Sequence, residues 1–165
     1  GMGNIGQAVA RLAQGLGMKV IYYSRQRKLA CESQGMIYQD LSTLMAQADV
    51  VGVFLDFNEA TRCLINAHAL EVLKPGAMII SIINTDVFDF EKLMEVIPVH
   101  KNTYIQMYYR TLRADHKALL QASKQVILYP SLGIRTKECG ARQRAIMVGN
   151  IEKFCQEKEK LRVQI

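Results

Sequence analysis

The first six residues, Gly1-Met2-Gly3-Asn4-Ile5-Gly6, carry the most chemistry in this 165-residue chain. Glycines spaced G-x-G-x-x-G at the start of a helix leave backbone N–H groups unpaired. The helix dipole adds partial positive charge, so such a turn attracts a phosphate or pyrophosphate. In that arrangement Gly1 permits the tight turn and Gly3 lets a pyrophosphate approach the backbone, while Gly6 lets the helix pack closely on a strand. Asn4 and Ile5 belong to the same turn. The hexapeptide alone is weak evidence, and a glycine-rich helix start without a ligand shares its spacing. Here an apolar-striped helix follows, and then a strand at the right distance, which is the context a dinucleotide site requires.

A second constellation lies at the end of that strand. An acid there accepts hydrogen bonds from a ribose 2′-hydroxyl, whereas a basic residue accommodates a 2′-phosphate. The chain offers Ser24-Arg25, then Arg27 and Lys28, with no acid nearby. A guanidinium pairs with phosphate through two parallel hydrogen bonds. These residues favour NADP over NAD as the nicotinamide dinucleotide partner; the alternative is a set of ordinary surface cations.

Other reactive residues are dispersed. Cys31, Cys63, Cys139 and Cys155 form no C-x-x-C pair and read as free thiols of a reducing, cytoplasmic compartment rather than a disulfide frame or metal site. His68 and His116 fall in helices and His100 in a loop. None is expected at the carboxyl end of a strand, where open α/β sheets place ligands.

The elements that must position these groups alternate. Asn4–Leu16 is helical, with Ile5, Val9, Leu12 and Leu16 forming one apolar stripe. Lys19–Tyr23 is a buried strand, and residues 35–38 are a short one. Asp40 caps a small helix over Leu41–Ala46. Asp49–Leu55 is a buried strand, Asn66 caps a helix to Leu73, and Lys74-Pro75-Gly76 is a turn. Ala77–Ile83 is a strand, Asp89 caps a helix through Ile97, and Thr103–Tyr109 is a strand. Asp115–Ser123 is a helix, Gln125–Tyr129 a strand, and Thr136 to roughly Glu159 a long helix. Strands alternating with helices predict an α/β three-layer sandwich with a mostly parallel, Rossmann-like sheet in a single domain over 1–165.

Composition agrees with a globular domain: 50% of residues are hydrophobic and 22% charged. The net charge of +6 fits a solvated basic surface or attraction of an anionic ligand. Nucleic acid is not expected as a partner, because the basic residues form no long run and no aromatic-plus-basic signature is present. No apolar run approaches the roughly 18–20 residues of a membrane span.

Four stretches, GMGNIGQAVARLAQGLGMKVIYYSR (1–25), ADVVGVFL (48–55), ATRCLINAHALEVLKPGAMII (60–80) and NIEKF (150–154), resemble the NAD(P)-binding domain of D-isomer-specific 2-hydroxyacid dehydrogenases, the glyoxylate and hydroxypyruvate reductase group. The likeness is strong up to Ile80, weak from Ser81 to Lys124 and partial afterwards. It implies hydride transfer between NADPH and a 2-oxo acid, and a homodimer formed through the cofactor domain. It also implies a substrate lobe and a first Rossmann strand that would precede Gly1 and are absent from this sequence, leaving sheet edges unpaired.

The resemblance carries three catalytic groups: an arginine for the substrate carboxylate, a histidine for the proton and an acid beside it. Counting without gaps from Lys74-Pro75-Gly76, the arginine falls on Asn84 and the glycine after it on Thr85. The following landmark falls on Phe88-Asp89, which holds the register. The histidine falls on Ser131, and Met107 to Thr111 offers no acid. Asp56 stands where the family has proline. No catalytic residue is therefore expected. The resemblance implies a cofactor domain inactive in hydride transfer, with an NADP(H)-sensing or dimerisation module as the alternative.

Overall fold

The computed structural model describes residues 1–107, 112–130, 132–133 and 135–162, with side chains through 157. The chain divides into two compact units, Gly1–Pro130 and Ser131–Ile165.

The first unit runs α1 (Asn4–Gly15), β1 (Ile21–Tyr22), α2 (Leu29–Glu32), β2 (Ile37–Tyr38), α3 (Leu41–Gln47), β3 (Val50–Val53), α4 (Ala67–Glu71), β4 (Met78–Ser81), α5 (Phe90–Val99), β5 (Thr103–Met107), α6 (Ala114–Ala122) and β6 (Val126–Tyr129). Short 3-10 turns lie at Glu59–Thr61 and Thr85–Val87. Every strand pair is parallel, so the α/β class and the parallel sheet are as expected. The strands form two sheets, β1–β2 and β3–β4–β5–β6.

The main core lies on one face of the four-stranded sheet. One register row crosses it through Val51, Ile79, Tyr104 and Val126. Leu70 and Leu73 from the α4 segment and Leu93 and Ile97 from α5 belong to the same cluster, and all four are almost fully buried. The Phe88 ring meets Tyr104 edge-on at 5.8 Å, the arrangement that ring quadrupoles favour.

Caps fix where these helices begin. The side chains of Asp40, Asn66 and Asp89 accept hydrogen bonds from the backbone N–H groups of Thr43, Ala69 and Lys92. Each satisfies a donor that the first helical turn cannot.

The structure departs from the sequence expectation at three points. The apolar stripe of α1 does not enter the core: Ile5, Val9, Leu12 and Leu16 are 56%, 39%, 70% and 81% exposed. The helix instead buries its small residues, Gly6 and Ala10. Strand β3 is not buried throughout. Val51 and Val53 are buried, whereas Val50 and Gly52 are exposed, because β3 is the outer strand of its sheet and one of its faces is uncovered. Strands β1, β2, β3 and β4 are also shorter than their apolar runs, since backbone pairing stops before the apolar residues do.

The second unit is dominated by α7 (Lys137–Arg162). The Thr136 hydroxyl accepts from the Cys139 N–H at 3.0 Å and caps the helix start. Ile146, Met147, Ile151 and Phe154 are exposed along α7. Ser131 and residues 108–111, which include the end of the strand expected over Thr103–Tyr109, lie outside the described residues.

Candidate functional site: a glycine turn at the strand ends

The glycine turn sits between the carboxyl ends of β1 and β3. The Gly1 amine donates to the Tyr23 carbonyl at 2.8 Å. A Cβ built on Gly1 would lie 2.7 Å from the carbonyl carbon and oxygen of Phe54. Gly1 thus bridges the ends of the two sheets with no room for a side chain.

Gly6 is equally confined. A Cβ there would stand 2.0 Å from the Gly1 carbonyl oxygen, far inside contact distance. Gly6 thereby lets α1 close onto the turn. Gly3 differs from both: a Cβ there meets nothing within 4 Å. Gly3 is also the N-cap of α1, makes no side-chain cap and has extended backbone. Gly3, Asn4 and Ile5 are exposed, and no acidic residue stands in the first turn of α1. The turn therefore presents N–H groups and a helix dipole to open space at the carboxyl ends of parallel strands, where an anion is stabilised. The space beside Gly3, next to two glycines enclosed by protein, fits a dinucleotide pyrophosphate.

The residues after β1 form a tight loop. Ser24 is buried, and its hydroxyl donates to the Gln26 carbonyl at 2.6 Å. Arg25 is exposed. Arg27 is engaged: its Nε donates to Glu32 Oε1 at 3.0 Å, its Nη2 pairs with Glu32 Oε2, and its guanidinium lies 5.4 Å from the Tyr38 ring centroid. The Arg27 hydrogen bond holds the Glu32 carboxyl below the usual carboxylate range. Sequence reading found the cations of this loop and missed Glu32, because that residue arrives on α2, a four-residue helix with no periodicity to detect.

A third constellation follows β4. Asn84 caps the Thr85–Val87 turn: its Oδ1 accepts from the Asp86 N–H at 3.1 Å and its Nδ2 donates to Asp86 Oδ2 at 3.2 Å. The amide is spent on local structure and carries no charge for a carboxylate. Asp86 Oδ1 lies 4.0 Å from both Arg113 Nη1 and His116 Nδ1. The His116 Nδ1 is 2.8 Å from the Thr85 hydroxyl, and the ring stacks on Phe90 at 3.7 Å. His116 does lie in a helix, as expected, yet its ring reaches the turn after a strand. Only the tertiary fold joins residues 31 positions apart.

Asp56 is exposed just beyond β3, and its carbonyl accepts from the Thr61 hydroxyl at 2.8 Å. His68 lies in α4, and His100 Nδ1 is 3.2 Å from the Leu73 carbonyl. All four cysteines are free. Among the described residues no group of three metal-ligating side chains occurs, and no helix is long and apolar enough to cross a membrane.

A parallel α/β sheet with a glycine turn at its carboxyl ends, opening a helix, defines a Rossmann-type nucleotide-binding domain. The chain belongs to the D-isomer specific 2-hydroxyacid dehydrogenase family, whose NAD binding domain matches residues 1–130. The glyoxylate reductase of Thermococcus litoralis is 30% identical over 155 residues, covering 93% of this chain and 47% of that protein. The hydroxypyruvate reductase of Blautia hydrogenotrophica is 28% identical over 160 residues, covering 93% and 48%. The chain thus spans about half the length of these relatives. Among solved structures, D-lactate dehydrogenase from Aquifex aeolicus, complexed with NAD and lactic acid, superposes with a TM-score of 0.82. It is 21% identical, with 95% of this chain and 52% of that one covered. The D-lactate dehydrogenase of Escherichia coli gives 0.78 at 25% identity, covering 93% and 50%.

Proposed function

We propose that this chain binds NADP(H) as the cofactor half of a 2-hydroxyacid dehydrogenase-type protein and does not itself carry out hydride transfer. The observation that carries the binding reading is the contrast within the glycine turn. Gly1 and Gly6 are closed in by backbone, while Gly3 faces open space at a helix N-terminus. Gly3, Asn4 and Ile5 turn their backbone N–H groups to the pyrophosphate, Gly1 and Gly6 let the turn close beside it, and Arg25 holds the 2′-phosphate from the loop that the Ser24–Gln26 hydrogen bond shapes. The bound nicotinamide would supply a hydride at its ring carbon.

The inactive reading rests on the residues where the family carries its catalytic set. Asn84 is neutral, and its amide is committed to Asp86. Ser131 offers a hydroxyl where a proton-exchanging imidazole is required, and such a hydroxyl does not ionise near neutral pH. His116 does not compensate, because its ring is buried and stacked on Phe90, with Nδ1 on the Thr85 hydroxyl.

A second reading, a dimerisation module, is favoured by α1. Burying each large apolar residue of its exposed stripe contributes roughly 1.5–3 kcal/mol, and a second copy of the chain provides the covering surface. The free thiols suit a reducing compartment such as the cytoplasm.

The test is NADPH oxidation by purified chain supplied with glyoxylate or hydroxypyruvate. The expected result is a rate equal to the protein-free background. Protein-dependent oxidation overturns the inactive reading.

A further inference from the structure

We propose that Glu32 limits selectivity for NADPH over NADH by holding Arg27 away from the 2′-phosphate, so that Arg25 reads that phosphate alone. The proposal rests on the cofactor reading above and concerns how the loop at residues 24–28 is set.

Three cations occupy this loop, and they are not equivalent. Arg25 is exposed, with the loop folded beneath it by the Ser24–Gln26 hydrogen bond. Arg27 sits two residues further on, but both oxygens of the Glu32 carboxylate engage its guanidinium. Glu32 is itself anchored. The Tyr22 hydroxyl donates to its Oε1 at 2.9 Å, and that hydroxyl accepts from the Lys28 N–H at 2.7 Å. Tyr22 is buried and meets Tyr38 edge-on at 5.5 Å, and Tyr38 in turn lies under the Arg27 guanidinium. The strand, the loop end, the short helix and the aromatic pair therefore converge on one carboxylate, and that carboxylate faces one arginine.

A guanidinium with both faces of its fork on a carboxylate must give up those bonds to reach a phosphate. That cost opposes the 2′-phosphate and does not touch NADH, which lacks that group. Glu32 is thus a positioning residue: it acts through Arg27 and not on the cofactor.

The experiment compares dissociation constants for NADPH and NADH, by calorimetry, in the wild-type chain and in Glu32→Gln, Arg27→Gln and the double variant. Glu32→Gln is expected to tighten NADPH roughly three- to fivefold, the range of one exposed ion pair, with NADH changed by less than about twofold. Raising the salt concentration should shrink the gain. Arg27→Gln alone is expected to leave NADPH affinity within about twofold of wild type, since Arg27 is already engaged. The double variant is expected to return to the wild-type ratio.

An unchanged NADPH-to-NADH ratio in Glu32→Gln, or a gain that survives in the double variant, overturns the proposal. A loss of more than about threefold in Arg27→Gln does so independently of how Glu32→Gln folds, because Arg27 would then already be on the phosphate. Those outcomes leave the cofactor reading standing. Failure of the wild-type chain to bind either dinucleotide overturns the cofactor reading and this proposal with it.

Discussion

Two alanine substitutions within one turn, Gly3→Ala and Gly6→Ala, separate binding from folding in the glycine turn. At Gly6 the added methyl would stand 2.0 Å from the Gly1 carbonyl oxygen and 3.1 Å from its carbon. Both atoms are backbone, so the contact is relieved only by moving α1 or the turn. Forced repacking of this kind costs about 1–3 kcal/mol, and for a chain of this size that lowers Tm by roughly 2–4 °C per kcal/mol. At Gly3 the methyl meets nothing, and the backbone is extended and open to any residue. Replacing glycine by alanine at an N-cap costs under about 1 kcal/mol, so Tm falls only slightly. The methyl does enter the space assigned to the pyrophosphate. NADPH affinity should drop at least about tenfold, equivalent to about 1.4 kcal/mol. Differential scanning calorimetry paired with NADPH titration gives both readouts. A Gly3→Ala chain that binds NADPH like wild type refutes the assignment of that space. A Gly6→Ala chain with wild-type Tm refutes the packing argument.

Asp40→Ala removes the side chain that caps α3, and is expected to lower stability by about 1 kcal/mol in urea unfolding. Leu12→Glu, on a residue 70% exposed, should change stability by less than about 0.5 kcal/mol. If α1 forms a contact between copies, light scattering should show that variant as a monomer where the wild type is a dimer; a wild-type monomer counts against the contact.

Local signals were the legible part of the sequence. Asp40, Asn66 and Asp89 were readable as caps because the hydrogen bond they make spans three residues. Parallel order was readable because a strand and the helix after it are neighbours in sequence. Periodicity failed at α1, since a stripe shows that one face is apolar without showing what covers it. The same limit applied to β3, whose place at the outside of its sheet depends on partners and not on its own residues. The glycine turn was legible as a motif, but the enclosure of Gly1 and Gly6 and the openness of Gly3 appear only once Phe54 and Gly1 are placed against them. Glu32 and His116 were invisible as site neighbours. Each reaches its partners through a short helix or a long-range contact that leaves no pattern in the chain.

Calorimetric titration of the wild-type chain with NADPH and with NADH tests the central claim most directly. The account predicts saturable binding of both, with NADPH the tighter. Binding of neither contradicts it: the open space at Gly3 would then not be a cofactor site, and the glycine turn would serve only to close α1 onto the strand ends.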